Sequence, residues 1–263
     1  MDMKINKNHL FLLLSVYLVL FSSCSDSLSD TTDGRLRYWI STLASDEFEG
    51  RAPGTEGGKL TKNFISKTFQ DLSLDPVNGE YLHKVPASEI TLKDSSYLTL
   101  SFRGNDRKMI TGQEVVFWTK QAREYRKIRD SEVVFVGYGI VAPEYNWNDY
   151  EGIDVRGKTV VILVNDPGFA TGKLRLFNGR SMTYYGRWTY KFEEAARQGA
   201  AAAIIVHEEE PAAYPWSVVE NSWQGPQLDL QREDLGADRA ILEGWIRDIT
   251  LDEVLNFTRF NYQ

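Results

Sequence analysis

The chain has 263 residues and a net charge of −7, with 42% hydrophobic and 13% aromatic residues, seven of them tryptophans. This composition excludes a disordered chain, and the acidic balance excludes a basic surface for nucleic acid or for anionic lipid head groups. The length allows one large folded domain or two modest ones.

The first 24 residues are typical of an export signal. Lys4 and Lys7 precede a run of apolar residues, 10–21, that contains a single serine. The run is too short to cross a bilayer, which takes about 20 residues, but it suits the apolar core of a secretory signal. Two serines then lead into Cys24, the only cysteine in the chain.

The end of this signal resembles a bacterial lipoprotein box, in which cleavage exposes the cysteine for acylation. We therefore predict a signal peptide over residues 1–23, lipidation at Cys24 and a membrane-anchored location in the cell envelope, on the periplasmic side or at the cell surface. Phe21 departs from the leucine that is usual three places before the cysteine. The alternative is an ordinary signal peptide followed by an incidental or buried thiol. A single cysteine excludes intrachain disulfides.

Two amphipathic helices are predicted after a polar tether at residues 24–34. Asp33 is available as a cap for the first helix, and the loop GRAPGTEGG at residues 50–58 precedes the second, with Thr55 as its N-cap. The loop glycines indicate tight turns, although a loop at an active cleft is the alternative. Apolar residues recur at helical spacing in both helices, at Leu36, Trp39, Ile40 and Leu43 and then at Leu60, Phe64, Ile65, Phe69 and Leu72.

Strand-like patterns follow, and then a β–α–β stretch. Four short strands are predicted between residues 81 and 118, the first of them YLHKVP. Further on, the apolar run KTVVILV predicts a strand, RWTYKFEEAARQG predicts a helix that ends at a left-handed Gly199, and AAAAIIVH predicts a second buried strand. The sequence from Gly244 onward is interpreted as helical. Together these patterns predict an α/β (mixed α+β) fold with a separate module over roughly residues 109–229.

Two blocks of sequence resemble a known family. Residues 43–86 resemble the N-terminal portion of the zinc-dependent aminopeptidases, whose superfamily includes glutamate carboxypeptidase and the transferrin receptor. Residues 133–230, with GKTVVILV and YKFEEAARQGAAAAIIVH, resemble the protease-associated domain that is inserted into many of its members. VNDPGF, MTYYGRW and VVENSWQGPQLDL are similar to the bacterial branch.

The resemblance implies an α/β catalytic domain with two zinc ions that removes N-terminal amino acids from peptides. The ligands of that family are two histidines, a bridging aspartate, a glutamate and another aspartate, while a further glutamate acts as general base. Two zinc ions polarise the scissile carbonyl and acidify a bound water, and a carboxylate moves the proton.

The ligands that the resemblance implies are not found in this sequence. The first ligand motif of the family is His-x-Asp, and of the three histidines here His9 lies in the signal, His83 is followed by Lys-Val and His207 by Glu-Glu. We therefore predict no catalytic and no metal-binding residue, and no cofactor, in this chain. His207 is predicted to end a buried strand, with Glu208 to Glu210 on a solvated turn; a zinc site at HEEE is the alternative.

The predicted organisation combines the export signal with part of a peptidase. It consists of a signal peptide (1–23), a tether (24–34), an N-terminal segment of the peptidase domain (35–108), the protease-associated insert (109–230) and the start of a truncated return to the peptidase domain (231–263).

Three functions are compatible with this organisation. The first is the N-terminal portion of a lipid-anchored zinc metallopeptidase of aminopeptidase type, inactive by itself, with peptides as its substrates. The second is a non-catalytic envelope lipoprotein that binds peptides or proteins through the inserted domain. The third is a carbohydrate-binding surface protein, which is suggested only by the aromatic residues Tyr145, Trp147, Tyr150, Tyr184, Tyr185 and Trp188.

Overall fold

The computed structural model describes residues 32–258, which form two compact units, residues 32–84 and residues 85–258. The predicted signal peptide and the lipidation site Cys24 lie outside the described residues. Within the described range, no helix has the length and apolarity that a membrane span requires.

The first unit contains two helices, the loop between them and the segment of residues 72–84 that follows the second helix. Helix α1 spans Thr32–Leu43, a 3-10 segment spans Asp46–Arg51, and helix α2 spans Glu56–Asp71. Thr55 Oγ1 accepts a hydrogen bond from the Gly58 backbone N–H at 3.1 Å, which confirms the predicted N-cap. The predicted cap at Asp33 is wrong, because Asp33 lies in the first turn of α1, where its carboxylate pairs with Arg37 four residues on.

The second unit is built on a five-stranded sheet. Its strands are β4 Val115–Trp118, β5 Val133–Phe135, β8 Thr159–Leu163, β9 Ala202–His207 and β11 Leu242–Arg247. Their order in the sheet is β4-β11-β9-β8-β5; the last four of these strands run parallel, and β4 pairs antiparallel with β11.

Three two-stranded ribbons and several helices complete this unit. The ribbons pair β1 with β10, β2 with β3 and β6 with β7. Their strands are β1 Ala87–Ile90, β2 Thr99–Phe102, β3 Asn105–Lys108, β6 Val141–Ala142, β7 Trp147–Asn148 and β10 Gln227–Leu230. The helices are α3 Pro167–Thr171, α4 Trp188–Arg197, α5 Glu209–Ala212, α6 Trp216–Ser222 and α7 Asp248–Thr258.

Helices pack against both faces of the central sheet. On one face, Phe192 and Ala195 of α4 lie in a cluster with strand residues such as Ile162, Ile205 and Trp245. On the other face, Leu251 and Val254 of α7 pack against a cluster that includes Val115, Phe117, Ile204, Val206 and Ile246. These layers, together with the antiparallel ribbons, confirm the predicted mixed α/β class.

The β–α–β stretch folds as predicted. Strand β8, helix α4 and strand β9 all lie within the segments that were assigned to them from sequence. Gly199 follows α4 with a φ of 80°, as expected of a left-handed helix end, and Ile204 and Ile205 are buried in β9. Every residue of β9 is buried, because the strand is flanked by β8 and β11 and covered on both faces.

Two segments differ from their predicted structure. YLHKVP at residues 81–86 forms no strand. The sequence from Gly244 does not begin a helix, because residues 242–247 form β11, an interior strand between β4 and β9, and helix α7 starts only at Asp248. Strand β11 therefore shares a sheet with β8 and β9, although it lies beyond residue 230, where the inserted module was predicted to end.

Candidate functional site

The carboxyl ends of three parallel strands meet at one edge of the sheet in the second unit. Strands β5, β8 and β9 lie side by side and run in the same direction, so the residues that follow each strand are brought together. In open α/β sheets, ligands bind outside the carboxyl ends of the strands. This edge holds both His207 with its three glutamates and a cavity.

His207 is the last residue of β9, and its side chain is enclosed by aromatic rings. It is 2% exposed, and its ring centroid lies 5.5 Å from that of Tyr214, 5.6 Å from that of Trp216 and 5.9 Å from that of Trp245. Burial lowers its pKa, and its Nε2 has no hydrogen-bond partner within residues 32–258. The predicted position at the end of a buried strand is confirmed.

The three glutamates after His207 have different environments. Glu208 is half-buried, while Glu209 and Glu210 are exposed at the start of the one-turn helix α5. Glu210 lies 3.5 Å from the guanidinium of Arg180. The predicted solvated turn is therefore correct for the last two glutamates but not for Glu208.

The surroundings of His207 do not fit a two-zinc centre. Such a centre needs several convergent ligands and carboxylates that orient the imidazoles. The rings of Tyr214, Trp216 and Trp245 enclose His207, the charges of Glu209 and Asp248 also act on it, and His83 is an exposed residue of the other unit. Over residues 32–258, no three or more His, Cys, Asp or Glu side chains are grouped as a metal site would require.

The cavity at the same edge has a volume of about 280 Å³. Its walls come from the end of β8, from the residues that follow β5, β8 and β9, and from α3 and α5, and they are formed by Tyr138, Leu163, Val164, Asn165, Asp166, Phe169, Ala170, Glu208 and Pro211. Most of these walls are apolar or aromatic, and the polar side chains among them are Asn165, Asp166 and Glu208, besides the Tyr138 hydroxyl.

Two of these polar side chains, Asn165 and Asp166, form hydrogen bonds that stabilise the cavity wall. Asn165 donates to the Pro211 carbonyl at 2.8 Å and accepts from the Asp166 backbone N–H. The buried Asp166 carboxylate caps α3 by accepting from the Gly168 N–H, and it also accepts from the backbone N–H and the hydroxyl of Thr183. These bonds fix the loop that follows β8.

Lys191, which sequence reasoning did not single out, is fully buried in α4. Its ammonium donates to the Tyr138 carbonyl at 2.6 Å, which ties α4 to the loop after β5. Burial lowers the pKa of Lys191 to about 7, against the opposing attraction of Asp149 and Asp166. Burial also raises the pKa of Asp149. A lysine on the apolar face of a predicted helix, directly before Phe192, was the available sequence signal.

Glu243 is a second buried ionisable group that sequence reasoning missed. It lies in β11, is fully buried, and accepts a hydrogen bond from the Trp118 indole at 3.1 Å. Its other carboxylate oxygen has no partner among residues 32–258, and burial raises its pKa. The Trp118 ring stacks on Trp223 with centroids 3.4 Å apart.

The aromatic residues that suggested carbohydrate binding do not form one exposed surface. Tyr145 and Tyr185 pack with Phe177 in a satellite core, Tyr150 is buried, and Trp188 lies against Trp223. Of the six, Tyr184 alone is an exposed residue. Their arrangement is that of packing residues rather than a ligand platform.

Comparisons with solved structures give distant neighbours of this chain, two of which are an aminopeptidase and a zinc aminopeptidase. No protein-family model and no curated protein matches the chain. An aminopeptidase from Aneurinibacillus sp. strain AM-1 is similar with a TM-score of 0.36 and 17% identity over 84% of this chain. BSAP, a zinc aminopeptidase from Bacillus subtilis, is similar with a TM-score of 0.28 and 20% identity over 78% of this chain. The chain spans 42% of the length of each neighbour.

Proposed function

We propose that this chain is the N-terminal portion of a lipid-anchored metallopeptidase of the aminopeptidase type, with residues 109–230 as an accessory protease-associated module. The observation that carries the proposal is the resemblance of two sequence blocks, residues 43–86 and 133–230, which occur in the order of that family. The β–α–β stretch β8-α4-β9 forms within the second block, where the resemblance implies a folded module.

In the proposed peptidase, the described residues neither bind zinc nor take part in the hydrolysis of the peptide bond. Two zinc ions in a complete peptidase supply Lewis acidity and an activated water. The histidines of this sequence lack the His-x-Asp spacing, and His207 faces aromatic rings. We propose that the module helps to contact peptide substrates while the metal ligands belong to other residues of the peptidase.

A zinc and activity assay tests this division. The purified full chain is expected to hold no stoichiometric zinc by elemental analysis and to release no amino acid from aminoacyl-nitroanilides, because a dinuclear site needs several convergent ligands. His83→Ala and His207→Ala form the matched pair of variants. Two zinc ions per chain that are lost in a folded His207→Ala variant, but kept in His83→Ala, would overturn the proposal.

A second candidate function is a non-catalytic envelope lipoprotein that binds peptides or proteins. The observation that favours it is the cavity at the carboxyl ends of β8 and β9, whose lining residues lie within residues 133–230, the block that resembles the protease-associated domain. The two functions differ in their chemistry, since only the first includes peptide hydrolysis.

The anchor is a further part of both proposals, and it has its own test. If Cys24 is acylated, Cys24→Ser moves the protein from the membrane fraction to the soluble envelope fraction, because the serine variant carries no lipid anchor at this position. Immunoblots of the two fractions measure the change, and Ser23→Ala serves as the neighbouring control. A serine variant that stays in the membrane fraction shows that another feature holds the protein there.

A further inference from the structure

The cavity at the sheet edge contains one carboxylate that nothing in the described chain neutralises. Glu208 is half-buried and lines the cavity, and its side chain forms no hydrogen bond or ion pair within residues 32–258. The other cavity carboxylate, Asp166, accepts hydrogen bonds from Gly168 and Thr183 and thereby caps α3. Unlike Asp166, Glu208 forms no side-chain hydrogen bond that stabilises a helix or loop of the described residues.

Three cations around this edge have other contacts, and one of them, Arg247 at the end of β11, lies over the Trp216 ring at 5.9 Å. Arg180 lies over the Phe169 ring, 5.4 Å from its centroid, and approaches Glu210 at 3.5 Å. Lys191 is enclosed, and its ammonium donates to the Tyr138 carbonyl. Burial raises the pKa of Glu208, and the negative charge of Asp248 raises it further. The charge facing the cavity from Glu208 is left without a counter-ion.

The size and walls of the cavity restrict what can bind. Its volume of about 280 Å³ is close to the lower end of ligand pockets, about 300 Å³, so it suits a group the size of one side chain. Leu163, Val164 and Phe169 supply apolar contact area. A half-buried carboxylate beside apolar walls is complementary to a cation attached to an apolar group.

We propose that this cavity binds a primary ammonium carried on an apolar group, with Glu208 as its counter-ion and with Leu163 and Phe169 against the apolar part. A peptide N-terminus and a lysine side chain both present this chemistry. The proposal stands apart from the peptidase proposal, since it requires neither zinc nor hydrolysis.

Benzylamine and its neutral counterpart benzyl alcohol test the proposal by calorimetric titration of the full chain in mild detergent. Benzylamine is expected to bind at least about tenfold more tightly than benzyl alcohol, because a charge-assisted hydrogen bond is about twice as strong as a neutral one. Glu208→Gln is expected to remove that difference. Glu209→Gln, which changes the exposed neighbour, is expected to keep it. Equal binding of the two probes, or an unchanged preference in a folded Glu208→Gln variant, would overturn the proposal.

Three peptides of otherwise identical sequence distinguish the sources of the ammonium. One has a free N-terminus and no lysine, the second is N-acetylated and has one lysine, and the third is N-acetylated without lysine. Binding of the first alone supports a peptide N-terminus, and binding of the second alone supports a lysine side chain. If neither the first nor the second peptide binds more tightly than the third, neither a peptide N-terminus nor a lysine side chain is the ligand. Circular dichroism and the melting temperature show that each variant is folded.

Discussion

Lys191→Met is expected to flatten the dependence of the unfolding free energy on pH between pH 7 and 9.5. In the folded chain the pKa of Lys191 is about 7, compared with an ordinary value of 10.5. Between these two values the unfolded chain holds a proton that the folded chain does not, so the stability of the parent rises with pH. This contribution is complete above the unfolded pKa and is lost as the pH falls through the folded pKa.

The expected size of this effect is large for a single side chain. Over 2.5 pH units the contribution of Lys191 is about 3 kcal/mol, since one pKa unit corresponds to about 1.4 kcal/mol. Asp149 and Asp166 are the charged groups that attract the Lys191 ammonium, and the Tyr138 ring faces it at 5.8 Å. Methionine also removes the hydrogen bond to the Tyr138 carbonyl, which lowers stability at every pH without changing the slope.

The measurement is urea unfolding followed by tryptophan fluorescence at several pH values. Six of the seven tryptophans lie in residues 85–258, so the signal reports mainly on the unit that contains Lys191. Lys173→Met, which alters an exposed lysine, is expected to keep the slope of the parent. A Lys191→Met variant with the full parental slope would show that Lys191 stays charged in the folded chain.

Gly244→Val is expected to lower the unfolding free energy by about 3 kcal/mol or more, because it forces a side chain between paired strands. Gly244 lies in β11, opposite Phe117 of β4 and Ile204 of β9. A Cβ atom at this position would lie 2.6 Å from the Val116 carbonyl oxygen and 3.0 Å from the Phe117 Cβ. Both distances are shorter than a normal non-bonded contact of about 3.5 Å.

The control for Gly244→Val is another β-branched substitution in the same strand. Leu242→Val changes a half-buried residue and is expected to cost less than about 1.5 kcal/mol, because the exchange removes little volume. Urea unfolding under identical conditions compares the two variants. If Gly244→Val were as stable as Leu242→Val, the placement of Gly244 between β4 and β9 would be wrong.

Local patterns predicted the parts of the fold that depend on local interactions. The apolar run of β8, the amphipathic face of α4, the left-handed Gly199 and the buried β9 were all identified from residues close in sequence. The Thr55 cap belongs to the same class, since its hydrogen bond spans three residues. Each of these features is set by backbone preference or by one face of one element.

The candidate site was only partly visible in the sequence. The end of β9 at His207 was predicted, but the enclosure of its ring by Tyr214, Trp216 and Trp245 depends on residues up to 38 positions away. The distinction between the half-buried Glu208 and its two exposed neighbours was not predicted. Burial of individual residues in a charged run is decided by which elements pack beside it, and the run itself carries no such signal.

The sequence by itself determined that this chain forms a mixed α/β fold and which segments contain β8, α4 and β9, because hydrophobic periodicity and turn chemistry are local. Only the tertiary structure decided that residues 242–247 form a central strand rather than a helix, since a short apolar run takes the form that its neighbours β4 and β9 stabilise. It also decided that Lys191 and Glu243 are buried and that Glu208 faces a cavity. Desolvation and charge pairing arise from contacts between distant segments, so they exist only once the chain has folded.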